Sequence, residues 1–280
     1  MKLQVRSTEA YAYTGGKAFD TSLPCVVFVH GALHDHSVWT LLARWCAHHG
    51  HSVLAVDLPG HGRSAGPLLA SVEAHADWLL ALLDAAGVMQ PGQACMVGHS
   101  MGSLIALEAA ARAPALISRL VMVGSTDPMK VSDTLLASAN SAPLQAIDMV
   151  NAFSISTLAA KPSYPGPGMW LHGSNRALMR RVLAGCNATG AVDADGNSVV
   201  NLFHHDFSVC DRYANGLQAA ALVQAQATLV LGAFDQMTPP RSSHTLAAAL
   251  RARTVTLPTG HSIAAEDPDG LLAALRQALA

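Results

Sequence analysis

Short apolar runs alternate along most of the chain with stretches in which apolar residues recur at helical spacing. The runs Cys25–Val29, Ser52–Val56 and 94–97 are almost wholly apolar, which is typical of strands buried on both faces of a sheet. Helical spacing follows the first two runs, at 37–48 and 71–86. This rhythm of strand and helix predicts a parallel sheet with helices on both faces.

The same rhythm extends toward both ends of the chain. Two short strands are predicted near the N-terminus, at 2–6 and 9–13, and further strands at 120–123, 227–231 and 254–257. Helices are predicted at 103–112, at 241–250 and from Pro268 onward. The fold class that we predict is therefore α/β, with a mostly parallel sheet.

The alternation stops between residues 129 and 223, where we find no convincing buried strand. Helical stretches are predicted at 133–139, 143–160, 175–184 and 211–223, separated by a Pro- and Gly-rich segment at 161–168 and a turn at 190–197. We therefore predict an α/β core formed by residues 1–128 and 224–280, and a helical cap formed by residues 129–223.

Composition narrows the class of protein. The chain has 280 residues, of which 51% are hydrophobic and 13% charged, and a formal net charge of −2, so a large core is expected and nucleic-acid binding is disfavoured. Five scattered cysteines form no Cys-x-x-Cys pair, which fits a reducing compartment. The first residues lack an apolar signal region, and no run is long enough to span a bilayer. We expect a cytoplasmic protein that acts on a small molecule.

One stretch, Gly98-His99-Ser100-Met101-Gly102, carries the strongest chemical signal. It joins the strand predicted at 94–97 to the helix predicted at 103–112, and Gly-x-Ser-x-Gly in that context is the signature of a nucleophile elbow. In such a turn the serine adopts a strained backbone, and the glycines let strand and helix approach closely. We predict that Ser100 is a nucleophile.

Other polar residues that follow predicted strands belong to the same edge of the sheet, because ligands gather at the carboxyl ends of parallel strands. A serine hydroxyl needs a base to become nucleophilic, and His261 can be that base if a carboxylate orients it. Asp127 and Asp235 both follow predicted strands. We choose Asp235 by its position after the strand at 227–231. Asp127 remains the alternative, and is otherwise expected to cap a turn before Pro128.

These residues resemble the motifs of the α/β-hydrolase fold superfamily, in its capped, esterase- and lipase-like branch. The motifs are His30-Gly31-Ala32 with Trp39, the segment 57–64, the serine elbow, Gly232-Ala233-Phe234-Asp235, and Gly260-His261. The resemblance implies eight strands, a helical cap, a Ser100–Asp235–His261 triad and no cofactor. It also implies an oxyanion hole formed by the backbone N–H groups of Ala32 and Met101.

Several further residues receive weaker interpretations. His34, His36, Trp39 and Trp170 are candidates to line the pocket, and His99 is expected to pack beneath the elbow. The clusters at 34–36 and 204–206 lack the spacing of a metal site with a distant third ligand, so we predict no metal.

The nucleophile and the loop motifs restrict the reaction. Haloalkane dehalogenases and epoxide hydrolases of this fold carry aspartate at the elbow, and the loop after His30 lacks the glycine runs of several other relatives. We therefore expect hydrolysis of a small ester, thioester or lactone through an acyl-Ser100 intermediate. Alternatives are a carbon–carbon bond hydrolase or a cofactor-free perhydrolase with the same triad, or a ligand receptor without turnover.

Overall fold

A computed structural model describes residues 1–156, 171–188 and 201–280, and an eight-stranded sheet forms its centre. The strand order is β1-β2-β4-β3-β5-β6-β7-β8, where β1 and β2 are antiparallel to their neighbours and all other pairs are parallel. The mostly parallel eight-stranded sheet is thereby confirmed. The strands are β1 (Lys2–Val5), β2 (Thr8–Tyr13), β3 (Cys25–Val29), β4 (Ser52–Val56), β5 (Ala94–His99), β6 (Ile117–Val123), β7 (Gln226–Gly232) and β8 (Arg253–Leu257).

Helices cover both faces of this sheet. The described helices are α1 (Thr40–His48), α2 (Val72–Ala85), α3 (Met101–Arg112), α4 (Asp133–Ser141), α5 (Pro143–Ser154), α6 (Leu171–Ala188), α7 (Leu202–Arg212), α8 (Gly216–Leu222), α9 (His244–Ala249), α10 (Ile263–Glu266) and α11 (Pro268–Leu279). Among the described residues, no helix combines the length and the apolar character needed to cross a membrane.

Alternate residues of the central strands explain why those strands are apolar throughout. Val27 and Val29 of β3 join a core cluster that contains residues of α2, α3, α8 and α9. Val26 and Phe28 join the opposite cluster, which contains residues of α1, α10 and α11. Successive side chains of a strand point to opposite faces of the sheet. When helices cover both faces, as they do at β3, every position of the strand is therefore buried and carries an apolar residue.

The helices α4 to α7 lie between β6 and β7 in sequence and form a separate apolar cluster. Ala146 and Ile147 of α5, Met179 of α6 and Phe203 of α7 are buried in it, and Leu33 from the loop after β3 joins them. This cluster therefore holds the inserted helices together and fastens them to the loops at the carboxyl edge of the sheet.

The prediction of one helix over 211–223 is wrong. The chain forms α7, which ends at Arg212, and α8, which begins at Gly216. Tyr213 between them is extended, and its hydroxyl donates to buried Glu108 of α3 at 2.9 Å. That contact interrupts the helix, and α8 packs against α3 beside the sheet. The predicted interruptions at 161–168 and 190–197 lie outside the described residues.

Candidate active site

Ser100 occupies a strained turn between β5 and α3. Its φ is +53° and its ψ is −123°, a conformation that a residue with a side chain rarely adopts. A Cβ on Gly98 would lie 2.2 Å from the carbonyl oxygen of Gly102, and a Cβ on Gly102 would lie 2.3 Å from that of Val29. Both glycines of the predicted elbow are therefore required by the close approach of strand, helix and neighbouring strand.

Two backbone N–H groups lie near this serine without a protein partner. Neither Ala32 N–H nor Met101 N–H donates a hydrogen bond within the part of the chain that the structure describes. Met101 begins α3, where the first N–H groups of a helix lack intrahelical acceptors and the helix dipole favours negative charge. Gly31 adjoins Ala32, and a Cβ there would lie 3.2 Å from Ser100 Cβ. The loop after β3 thus passes directly beside the serine.

His261 and Asp235 form a buried pair at the same edge of the sheet. His261 Nδ1 donates to Asp235 Oδ2 at 2.8 Å. The Thr238 hydroxyl donates to the same oxygen at 2.7 Å, and the N–H groups of Met237 and Thr238 donate to Asp235 Oδ1, each at 2.8 Å. With Nδ1 directed to the carboxylate, the neutral imidazole keeps Nε2 as a proton acceptor.

The surroundings of Asp235 keep it ionised. Burial by itself would raise the pKa of Asp235, but the charge and the hydrogen bond of His261, together with the hydrogen bonds from Thr238, outweigh burial. The pKa of this carboxyl is therefore held well below its ordinary value. An ionised carboxylate in this position orients the His261 ring and fixes which nitrogen carries its proton.

Asp127 lies in a different environment. It accepts a backbone hydrogen bond from Leu217 near the start of α8, and a Cβ on Gly216 would lie 2.2 Å from its Oδ1. Burial raises the pKa of Asp127. Of Asp127 and Asp235, only Asp235 makes a hydrogen bond to a histidine in the described residues.

Two glycines and the end of α5 position the His261 loop. A Cβ on Gly232 would lie 2.1 Å from the carbonyl oxygen of Gly260, and a Cβ on Gly260 would lie 2.6 Å from that of Ser154. The Ser154 carbonyl accepts the N–H of His261 at 2.6 Å and that of Ser262 at 3.0 Å. The inserted helices thus make direct contact with the loop that carries His261.

His99, the second residue of the elbow, contacts the loop that carries His261 and lines both cavities. Its Nε2 donates to the carbonyl oxygen of His261 at 2.9 Å, and its ring lies 4.8 Å from that of His261. Burial, together with the neighbouring His261 and His34, lowers the pKa of His99 to about 3. His99 is therefore a neutral support for the His261 backbone.

A cavity of about 300 Å³ opens beside Ser100 and His261, and both residues line it. Its other walls come from the loop after β3, from α4, α5 and α7, and from the loop after β7. Apolar side chains dominate these walls, among them Met129, Val131, Leu135, Met149, Val150, Phe153, Phe207 and Met237. In the described residues no hydrogen bond joins Ser100 to His261, and such bonds often tighten only when substrate is present.

The structure describes three of the four candidate pocket residues, and each of the three lies in a different place. His34 lines this cavity, and Trp39 lines a neighbouring cavity of about 270 Å³ that shares His34 and His99. His36 lines neither cavity; its ring lies against Tyr11 and Tyr13. Trp170 lies outside the described residues.

His36 belongs instead to a cluster with Asp35 and Asp57 whose ligand atoms lie within 4.8 Å of one another. Protein donors already use these oxygens. Asp57 Oδ1 accepts the N–H of His36 and faces its Nδ1, each at 2.7 Å, while Asp35 Oδ2 faces Arg181 Nη2 at 2.6 Å. The contacts of Asp57 fix the loop after β3 to the loop after β4.

Sequence reasoning missed several residues that structure brings to the site. Thr238 donates its hydroxyl to Asp235, and Asn175 Oδ1 lies 2.9 Å from His34 Nε2; the sequence analysis assigns neither residue a role. Asp206 was considered only as part of a metal cluster, yet it contacts the loop after β3. A buried threonine three residues after an aspartate is a local capping pattern that could have indicated Thr238.

Comparisons with known proteins show the family to which the chain belongs. A family model described as the alpha/beta hydrolase family matches residues 26–274. An esterase from Mycobacterium tuberculosis is 37% identical over 109 residues, which cover 38% of this chain and 34% of that protein. A pimeloyl-acyl-carrier-protein methyl ester esterase from Methylococcus capsulatus is 36% identical over 105 residues, or 37% of each chain. The alignments span about a third of the length of these curated relatives.

Solved structures resemble the whole chain. The enol-lactonase from Burkholderia xenovorans LB400 superposes with a TM-score of 0.81 and 19% identity, covering 100% of this chain and 99% of that one. A hydrolase from Pseudomonas aeruginosa gives a TM-score of 0.78 at 19% identity, covering 100% and 97%. At these identities the likeness establishes the fold. Since the family model matches from β3 into α11, the chain belongs to the alpha/beta hydrolase family.

Proposed function

We propose that this protein hydrolyses a small carboxylic ester, thioester or lactone through an acyl-Ser100 intermediate. The observation that carries the proposal is the Asp235–His261 pair, whose histidine shares a cavity with the strained Ser100. Esterases among the curated relatives are consistent with this reaction class.

In the proposed first step, His261 Nε2 takes the proton of the Ser100 hydroxyl while Oγ attacks the substrate carbonyl. The N–H groups of Ala32 and Met101 stabilise the oxyanion of the tetrahedral intermediate, and loss of one such donor typically raises a barrier by about 3 kcal/mol. Imidazolium His261, stabilised by Asp235, then protonates the leaving alcohol or thiol. Water, activated by His261, releases the acid from Ser100 in the second half of the cycle. No cofactor takes part in these steps.

The cavity walls support a substrate with an apolar acyl group. Among its described lining residues, Lys130 is the only one with a formal charge, and its Nζ donates to the Asp211 carbonyl at 2.6 Å. An ammonium group on the substrate would therefore lose hydration without gaining an anionic partner in this lining. Because α4, α5 and α7 supply many of the apolar walls, we propose that the segment 129–223 acts as a cap that sets specificity.

The decisive experiment is turnover of a panel of p-nitrophenyl esters by the wild type and by Ser100→Ala. Loss of a triad nucleophile can lower kcat by about 10⁶, so the variant should be inactive while it keeps its fold by circular dichroism. A fluorophosphonate should add once, at Ser100 by mass spectrometry. An S100A variant that retains more than a few per cent of activity would overturn the mechanism, and a wild type that binds esters without turnover would favour a receptor.

A further inference from the structure

A carboxylate from the inserted helices contacts the loop that carries the proposed oxyanion donor. Asp206 lies on α7 and is fully buried. Its Oδ2 accepts the N–H of Leu33 at 2.8 Å, across 173 residues of sequence. Leu33 directly follows Ala32, so Asp206 fixes one end of the peptide unit next to the proposed donor.

Leu33 needs such a contact because its backbone is strained. The N–H of His34 donates to the carbonyl of Gly31 at 3.3 Å, and this turn places Leu33 at a φ of +54°. A turn with positive φ at its third residue usually carries glycine or asparagine there. A leucine persists in that conformation only if its surroundings hold it. The buried Leu33 side chain lies in the apolar cluster of α4 to α7, and Asp206 holds its N–H.

The remaining hydrogen bonds of this loop come partly from the α/β core and partly from the inserted helices. Within the core, His30 Nδ1 lies 2.8 Å from the Gly31 carbonyl and His34 Nδ1 lies 2.7 Å from that of Ala32. The inserted helices supply the contact of Asp206 with Leu33 and that of Asn175 with His34. Hydrogen bonds thus fix the peptide units before and after Ala32. One of the groups that make these bonds is the carboxylate of Asp206, which lies on α7 and not in the α/β core.

The charge of Asp206 is balanced by His61. Both ring nitrogens of His61 face oxygens, since Nδ1 lies 3.1 Å from the Pro59 carbonyl and Nε2 lies 2.9 Å from Asp206 Oδ2. Burial by itself lowers the pKa of His61, but Asp206 outweighs burial and raises it. The two acceptor oxygens that face the His61 ring and the raised pKa both favour an imidazolium beside the Asp206 carboxylate.

The Asp206 carboxylate uses only one of its two oxygens in these contacts. Oδ1 of Asp206 is buried and has no hydrogen-bond partner among the described residues, while Oδ2 accepts from both His61 and Leu33. A buried carboxylate with an unsatisfied oxygen is costly to the folded state, so the contacts of Oδ2 are the ones for which a function must be sought.

We propose that Asp206 is a positioning residue for the oxyanion donor of Ala32, so that full activity requires α7 to be docked on the loop after β3. The inference rests on the proposed function, because it concerns the same reaction. It assigns Asp206 no contact with substrate. Its effect passes through the Ala32–Leu33 peptide unit.

The test is Asp206→Ala, which removes the oxygen that accepts the Leu33 N–H. Because oxyanion contacts strengthen only in the transition state, we expect kcat to fall about 10- to 100-fold while KM changes less than about twofold. The Ki of n-butylboronic acid, which forms a tetrahedral adduct on serine, should rise by the same factor as kcat falls. The matched control is His205→Ala, which removes an adjacent contact between α7 and the core (Nε2 to the Leu69 carbonyl, 3.0 Å) and should leave kcat within about twofold.

The outcomes separate this inference from the proposed function. A D206A variant with wild-type kcat, or one in which KM rises while the boronate Ki is unchanged, overturns the inference and leaves the mechanism intact. A wild type without Ser100-dependent turnover overturns both. If D206A does not fold, Leu33 can be replaced by its α-hydroxy acid, which removes only the N–H that Asp206 accepts. Wild-type kcat in that ester-backbone protein would likewise overturn the inference.

Discussion

Asp235 Oδ2 and His261 Nδ1 lie 2.8 Å apart, and both residues are buried. The residues next to each of them in sequence do not account for this contact. The two residues come from loops that follow adjacent parallel strands, β7 and β8. The close approach of Gly232 to the Gly260 carbonyl brings these loops together. The relationship therefore depends on the sheet order and on two positions where no side chain fits.

This pair predicts unequal effects of two matched substitutions. Asp235→Asn should lower kcat by up to about 10⁴, because an amide can favour the wrong tautomer of His261. Asp127→Asn should change kcat less than about twofold, since its oxygen still accepts the N–H of Leu217. Both are measured on one p-nitrophenyl ester. If the Asp127 variant is the impaired one, the acid of the triad is wrongly assigned.

The elbow predicts a steric effect on stability. Gly102→Ala would place a methyl group 2.3 Å from the Val29 carbonyl and 2.4 Å from that of His30, which are backbone atoms that cannot move aside freely. Overpacking of this kind costs about 1–3 kcal/mol or more in the free energy of unfolding. The measurement is urea unfolding followed by circular dichroism.

Gly185→Ala on α6 is the control for this change. A Cβ there meets no atom within 4 Å, so the substitution should raise the free energy of unfolding by about 0.5–1 kcal/mol. Equal effects of the two substitutions would contradict the steric explanation of the elbow glycines.

A buried histidine predicts loss of stability in acid. Burial lowers the pKa of His75 to about 4, and the titratable groups that face it are Asp206, His61 and His205. The unfolded chain, with an ordinary value of about 6.5, takes up a proton first as the pH falls. Stability from this group is therefore complete above about pH 6.5 and is lost toward pH 4, by about 3 kcal/mol.

His75→Gln should remove this contribution, so that the free energy of unfolding falls by about 3 kcal/mol less between pH 7 and pH 4 than it does in the wild type. His49→Gln is the matched control, since both rings make a hydrogen bond to the carbonyl four residues earlier, but His49 is exposed. Urea unfolding at intervals from pH 7 to pH 4 measures both. A slope unchanged in H75Q would show that His75 does not contribute to acid sensitivity.

The cavity walls predict a change of acyl-chain preference. Val150 on α5 is buried and lines the cavity beside Ser100, so Val150→Phe should reduce its volume. We expect kcat/KM for p-nitrophenyl octanoate to fall at least about tenfold relative to the acetate, since an overfilled pocket rejects added methylenes. Leu144→Phe, on the same helix but exposed, should leave the ratio unchanged. A preserved octanoate-to-acetate ratio in V150F would place the acyl group elsewhere.

Local sequence signals were sufficient for most of the core. The strands Cys25–Val29 and Ser52–Val56 have the bounds that their apolar runs predict, and Ser71 and Gly87 flank α2 as its N-cap and the positive-φ residue after it. Each of these features depends on residues that are adjacent in sequence. The apolar run, the capping hydroxyl and the glycine act over one or two turns of chain, so their effect can be read without knowing the fold.

The inserted helices were predicted less well because their signals are not local. The helix α7 carries His204, His205, Asp206 and Asp211 among its apolar residues, and the sequence alone did not indicate it. Asp206 is buried because it meets Leu33 and His61, which lie far away in sequence. Polarity along the chain gives no sign of a charge that is buried by distant partners.

The sequence by itself determined the alternation of strands and helices, the elbow at Ser100 and the set of polar residues at the carboxyl edge of the sheet. Only the tertiary structure decided which members of that set meet. His34 reaches the cavity and His36, two residues later, turns away to Asp57, while Asp235 rather than Asp127 contacts His261. The physical reason is that propensity and capping act between neighbours in the chain, whereas these contacts depend on strand order, helix docking and the space that a glycine leaves open.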